Sequence, residues 1–447
     1  AGAVGEDEAG AMPALRFLHI VIPQGTEAGK KLESKFQELL INMRNTFKSR
    51  RVSLEYFGFA QYTYFFIVLE ADLYETVEGL VYSTFPDCEV RETKDYTLAF
   101  DAKKQGLAGA ELHLHHSDIY PIKTYDIFEE DSSSRFFSAV SKIPTGDQVW
   151  VQIIAEPQDD TAFFLFRRSW AIRFTDFIHF FSLRDRMRAG GRKSIAPLRH
   201  KKAEEKAAVK PYRVSIRCAY VSSSAAEAER KIQAITAAFS QFNDKDINEV
   251  HPVSKSANAS FLQKFRARSH AKTFILSAQE VATLYHFPNA DHVPHIVHIL
   301  SRKAAPPQDL PRAGEKDVSA FGLTNFHNSF LPFGISRSDR RRHLYAVGKS
   351  GSGKSKLLEL LINEDIQTGQ GLAVLDPHGD LVDAILRYIP EHRIKDVILF
   401  DPADTEYPIA FNPLERVDEA YKMQLTIGFI DIFKKLFGGN WTYRLEH

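Results

Sequence analysis

One octapeptide, Gly348-Lys349-Ser350-Gly351-Ser352-Gly353-Lys354-Ser355, constrains this chain more than any other stretch of it. It fits the pattern G-x-x-x-x-G-K-[ST] and stands between an apolar run, Leu344-Tyr345-Ala346-Val347, and a Leu-rich segment of helical spacing. A strand, a tight loop and a helix follow from that order. The glycines let the backbone turn so that successive N–H groups converge on one point, and the helix start adds partial positive charge there. A phosphate chain is the ligand such a cradle suits. All eight residues are candidate ligand contacts, with Lys354 reaching the terminal phosphates and Ser355 offering its hydroxyl to Mg²⁺, so that the implied cofactors are ATP and Mg²⁺.

The surroundings predict a parallel α/β domain over 318–447. Strands are expected at His343–Val347, Leu372–Leu375 and Val397–Phe400, with helices at Lys354–Gln367 and Leu381–Ile389 between them. Asp376 closes the apolar run Gly371–Leu375, where a metal-side carboxylate could stand. Pro377 follows it and only one helix separates it from the loop, so a turn-forming role in Asp376-Pro377-His378-Gly379-Asp380 suits it better. Asp380 reads as the N-cap of the next helix.

Earlier in the chain the periodicity is that of α+β units. Residues 1–14 are small, acidic and Gly-rich, a tail in composition. A strand at Leu15–Pro23, a helix at Glu27–Phe47, strands at Val52–Phe59 and Tyr62–Glu70, a helix at Leu73–Phe85 and a strand at Glu89–Tyr96 give a β-α-β-β-α-β order. That order is the ferredoxin-like, split βαβ pattern. It opens an N-terminal domain over 15–183, followed by a basic linker over 184–210 and a second α+β unit over 211–301. The strand Tyr212–Val221 and helix Ser224–Phe242 of that second unit hint at internal duplication. A charged, proline-containing linker over 302–317 leads to the last domain.

Composition adds exclusions. Lys plus Arg and Asp plus Glu both number 57, so nucleic-acid or membrane binding needs a local argument. The two cysteines, Cys88 and Cys218, rule out a disulfide framework and suit a reducing compartment. No apolar run reaches the roughly 18–20 residues that span a bilayer. The cytoplasm is the expected location, with attachment to the inner face of the cell membrane left to a segment outside this chain.

The stretch from about Phe333 to His447 resembles the ATPase domain of conjugative DNA-transfer proteins, coupling-type ATPases of type IV secretion within the HerA–FtsK superfamily of RecA-like motors. The resemblance rests on Gly348–Ser355, on Leu375-Asp376-Pro377-His378-Gly379-Asp380-Leu381 and on Phe411-Asn412-Pro413-Leu414, with weaker support from Trp441-Thr442-Tyr443-Arg444-Leu445-Glu446. It implies an ATP-driven hexamer that moves DNA through a central channel, with a secretion or membrane complex as a further partner. In such motors the acidic pair that binds metal and activates water lies on a later strand, and the sequence stops before one. Two competing classes use the same loop: a phosphotransferase acting on a small molecule, and a nucleotide-gated scaffold or protein-export motor.

Weaker signals have plainer readings. Arg184–Arg213 holds eleven Lys or Arg and three acids, which suits a phosphate backbone, an anionic membrane face or, more plainly, a solvated helical linker. Arg340, Arg341 and Arg342 precede the loop strand and could face a nucleotide or DNA. His113 and His115 share a strand face beside His116, and His292, His295 and His298 recur at intervals of three, yet neither set comes with further metal ligands. The aromatic strands around Tyr56–Phe59 and Tyr62–Phe66 suit a core better than a base-stacking platform.

Overall fold

The computed structural model describes residues 14–23, 32–129, 131–158, 196–256, 259–288, 295–299, 303–409 and 418–438, with Asn412, Thr442 and Arg444. The basic stretch 184–195, His292, most of the 411–414 motif and most of the 441–446 motif lie outside the described residues. Contacts divide the chain into two units, Ala1–Leu310 with Leu323–Leu331, and Pro311–Gly322 with Pro332–His447.

The first unit opens with β1 (Leu15–Pro23), α1 (Leu32–Phe47), β2 (Val52–Phe59), β3 (Tyr62–Glu70), α2 (Tyr74–Thr84) and β4 (Glu89–Thr93). Then come β5 (Gly106–Leu114), α3 (Ser134–Val140), β6 (Gln148–Pro157), α4 (Ala196–Ala208), β7 (Pro211–Ser222), α5 (Ala225–Ala238) and β8 (Val250–Ser256). The unit closes with α6 (Ala259–Arg266), β9 (Phe274–Ser277), α7 (Ala278–Leu284) and β10 (His298–Ile299). Phe36, Leu39, Leu40 and Met43 bury one stripe of α1, as their spacing requires.

All ten strands join one mixed sheet. Its first four run β4-β1-β3-β2, each pair antiparallel, and β2 joins β6 antiparallel from Val52↔Ala155 to Phe59↔Gln148. Beyond that seam the order is β6-β7-β5-β8, again antiparallel throughout. Taken in chain order, the second four strands repeat the arrangement of the first four as its continuation from the seam. In this order the second set of four strands starts at β5, ahead of Tyr212. The boundary expected at 210/211 falls inside the sheet, because β6 and β7 pair over their full facing length, Gln148↔Val221 to Pro157↔Tyr212.

Alternate side chains feed two apolar layers. On one face Leu18, Ile20, Leu54, Tyr56, Phe65 and Ile67 pack with α1, α2, α3, α5 and α7. On the other, Phe17, Phe66, Trp150 and Val221 pack with Phe261 and Phe265 of α6. Cys88 and Cys218 are both buried as free thiols, and burial pushes the Cys88 thiol up to about 12. Among the described residues no helix is long and apolar enough to cross a membrane.

The second unit holds the hairpin β11 (Val318–Leu323) and β12 (Pro332–Ser336), then α8 (Arg337–Arg340), α9 (Lys354–Gln367), α10 (Asp380–Leu386) and α11 (Glu419–Phe437). The helix at Lys354–Gln367 has the bounds its sequence predicts. The three parallel strands do not form among the described residues: 343–347, 372–375 and 397–400 carry no ladder. A parallel strand is held by neighbours about 4.8 Å away on each side, and these segments lack them. Their apolar side chains are consequently exposed, with Tyr345 at 91%, Leu375 at 93% and Ile398 at 89%. Leu372–Pro377 and Val397–Phe400 line a shared open cavity of about 910 Å³ with Ile366, Val382, Ile385 and Ile389.

Candidate functional site

The loop Gly348–Ser355 turns directly into α9. Gly351 (φ +79°) and Gly353 (φ +93°) both occupy the left-handed region, where a Cβ would strain the backbone. Gly353 is the N-cap of α9 and no side chain caps the helix, so its first N–H groups remain available at the loop. Ser352 N–H donates to the Lys349 carbonyl at 3.2 Å, closing the turn. Lys354 Nζ donates to the Gly348 carbonyl at 2.9 Å and the Lys349 carbonyl at 3.0 Å, spanning the loop with its ammonium. The side chain at 354 is thus folded back over the loop from which a fourteen-residue helix begins. Such a set of donors and one mobile cation suits a polyphosphate.

Asp376 sits elsewhere in the unit's hydrogen bonding. Its Oδ1 accepts from His378 N–H at 3.1 Å, and its Oδ2 accepts from Leu381 N–H at 2.8 Å and Val382 N–H at 3.4 Å. Those backbone donors, His378 first, hold the carboxyl below its ordinary value. Asp376 therefore caps α10 from a distance. Asp380, expected as the N-cap, is instead the first helical residue after Gly379, because the orphan N–H groups are taken by Asp376.

The three arginines ahead of the loop have different surroundings. Arg340 is bound to Asp365 through two 2.6 Å hydrogen bonds and to Ser319 Oγ at 3.0 Å. The Asp365 carboxylate raises its pKa, and this forked pair fastens α8 and β11 to α9. Arg342 lies 3.9 Å from Asp339, and Arg341 is exposed. Nothing in the sequence marked Asp365 as the partner of Arg340, since the contact crosses 25 residues.

In the first unit the other sequence candidates disperse. His115 touches the rings of His116 and His251, but the potential metal-ligand group found among the described residues does not include it. His298–Ile299 pairs with β1 and His295 has a left-handed backbone (φ +61°), so the two share no helix among the described residues. Within the basic stretch, Lys206 is buried against Glu280 at 3.0 Å and Arg199 donates to the Asp246 carbonyl at 2.6 Å. The described part of that stretch is a packed helix. Tyr56, Phe65 and Phe66 are buried, while Phe59 and Tyr62 are partly exposed at the strand ends.

The sequence profile of the family described as Domain of unknown function (DUF8128) matches residues 32–296. The profile described as Helicase HerA, central domain matches residues 328–432, which contain the loop, α9 and α10. No curated protein matches the chain.

Proposed function

We propose that this chain, which belongs to the DUF8128 family and carries a P-loop ATPase domain of the HerA type in its second unit, is the nucleotide-binding motor subunit of a DNA-translocating ATPase. One observation carries the reading: an uncapped helix start, two left-handed glycines and the Lys354 ammonium meet in one eight-residue loop. Backbone N–H groups from Gly348 to Ser355 bind the phosphate chain of ATP. Lys354 exchanges its two carbonyl partners for phosphate oxygens, a swap that a side chain already in reach makes at little cost. The Ser355 hydroxyl would hold Mg²⁺, which would supply positive charge to offset that of the phosphates.

The match to the HerA central domain and the Asp376–Leu381 turn support a motor over a phosphotransferase. They also support kinship with the coupling ATPases of type IV secretion and conjugation, for which DNA is the substrate. Exposed Tyr345, Val347, Leu375, Ile398 and Phe400, with Met423 and Leu436 on α11, support self-association, in which copies of the chain cover apolar surface. The order β4-β1-β3-β2 and its repeat β8-β5-β7-β6 support reading the first unit as two ferredoxin-like halves joined edge to edge. That unit serves assembly or substrate capture.

The test is ATP hydrolysis by the full-length protein with and without DNA. The motor reading expects a rate that rises with single- or double-stranded DNA. Turnover indifferent to DNA, accompanied by phosphorylation of a small molecule, would replace the motor with a phosphotransferase.

A further inference from the structure

Glu33, Asp131 and His286 come from three distant segments of the first unit, and their ligating atoms all lie within 4.8 Å of one another. Glu33 stands in the first turn of α1, Asp131 precedes α3, and His286 follows α7. The cluster is enclosed. His286 has no exposed side-chain surface, and the Glu33 and Asp131 side chains keep only 9% and 11% of theirs.

The imidazole is fixed in a particular sense. Its Nδ1 lies 3.1 Å from the Ala282 carbonyl, an acceptor only, so Nδ1 carries a proton and Nε2 is the nitrogen turned to the two carboxylates. Nε2 is buried and has no hydrogen-bond partner among the described residues. Asp131 Oδ1 is 3.1 Å away and Glu33 Oε1 3.8 Å away, so with Asp131 distance is not what fails: the oxygen lies outside hydrogen-bond direction. One ring nitrogen and two carboxylates therefore share one small buried space, the donor set of a cation site. The carboxylates are also held from behind, Oδ1 of Asp131 by Ser133 N–H at 2.8 Å and Oε1 of Glu33 by Ser132 N–H at 3.4 Å.

We propose that Glu33, Asp131 and His286 form a binding site for a divalent first-row transition cation of the zinc class, which ties α1, the 131–133 segment and the end of α7 together. A cation about 2.0–2.2 Å from each ligand puts neighbouring ligand atoms roughly 3.0–3.5 Å apart; the observed 3.1 Å falls in that range, and the 3.8 Å to Glu33 asks for a small inward shift. One imidazole nitrogen with two carboxylate oxygens suits Zn²⁺, Co²⁺ or Mn²⁺ better than Ca²⁺ or Mg²⁺, which prefer oxygen alone. The site is independent of the nucleotide loop, so its failure leaves the motor reading untouched, and the converse also holds.

The experiment uses the untagged full chain, stripped with a chelator and then titrated with Zn²⁺ and with Co²⁺. The expected result is saturable, stoichiometric binding, a visible Co²⁺ spectrum of mixed nitrogen and oxygen ligation, and a higher unfolding temperature with metal than without. His286→Ala and Glu33→Gln should weaken Zn²⁺ binding by more than about 100-fold, since losing even an outer partner costs about 10–100-fold. Should a variant fail to fold, the strip-and-reload cycle on the unaltered chain still decides the matter. No saturable uptake by the unaltered chain would overturn the proposal. So would Zn²⁺ binding undiminished in folded His286→Ala, or a metal-insensitive His286 ring with both nitrogens protonated, which would make the cluster an ion pair.

Discussion

Removing the Arg268 guanidinium should be the most damaging single change to the second apolar face of the sheet. Arg268 is 2% exposed and donates to Glu55 through Nε (3.1 Å) and Nη2 (3.3 Å), to Asp95 through Nη1 (2.6 Å) and Nη2 (3.1 Å), and to the Arg266 carbonyl at 2.8 Å. Glu55, on β2, is fully buried, and its other partners are the neutral donors Ser53 Oγ, Gln152 Nε2 and Tyr96 Oη. In Arg268→Met an apolar stem remains while the guanidinium, which lies over the Phe17 ring, goes, leaving the Glu55 carboxylate with no counter-ion. Breaking one side of a buried pair costs about 3–5 kcal/mol. Glu55→Gln alone should cost less, because the amide oxygen can still accept from Ser53 and Gln152 while the Tyr96 hydroxyl can turn to accept from the amide NH2. The double variant should recover about 2 kcal/mol relative to the sum of the single changes, as coupled neighbours do. Urea unfolding followed by tryptophan emission measures this directly, since Trp150 lies against Tyr96 and Phe265 in the same cluster. A cost below about 1 kcal/mol for Arg268→Met, or a coupling below about 0.5 kcal/mol, would refute the account of this face.

Three further outcomes are expected. Burial, then the nearby Arg91 charge, lowers the His19 pKa from 6.5 to about 4, so the unfolded chain binds the proton first and stability falls as pH drops from 6.5 towards 4. The loss approaches about 3 kcal/mol, and His19→Phe should flatten stability over that window; an unchanged slope would show that another group governs it. In Gly106→Ala the new Cβ would lie 1.9 Å from the Ala225 nitrogen, so the start of α5 must move, at a cost of about 1–3 kcal/mol or more by chemical denaturation. Asp376→Ala should speed hydrogen exchange at Leu381 and Val382 and leave Mg·ATP affinity unchanged; lost affinity with both amides still protected would make Asp376 a metal-side carboxylate instead.

Local signals in the sequence carried most of the first unit's elements. Leu32, Phe36, Leu39, Leu40 and Met43 announce α1, and the apolar alternation of Val52–Phe59 and Tyr62–Glu70 announces the hairpin. What was not legible is long-range. The second set of four strands begins at β5, but residues 158–210 separate β6 from β7, so the spacing that would tie them to one sheet is broken. The Glu33, Asp131 and His286 group was missed because its members stand nearly a hundred residues or more apart and follow no motif spacing. In the second unit the loop was legible because eight contiguous residues encode it. Its strands kept their apolar pattern and yet formed no ladder, since strand identity depends on partners that pattern alone does not supply.

Calorimetric titration of Mg·ATP into the unaltered chain and into Lys354→Ala tests the central claim most directly. The account predicts saturable binding that weakens by about 10–100-fold when the ammonium is removed, the value of one or two charge-assisted hydrogen bonds at about 1.5–3 kcal/mol. Equal affinity in the two proteins, or no heat in the unaltered one, would contradict it.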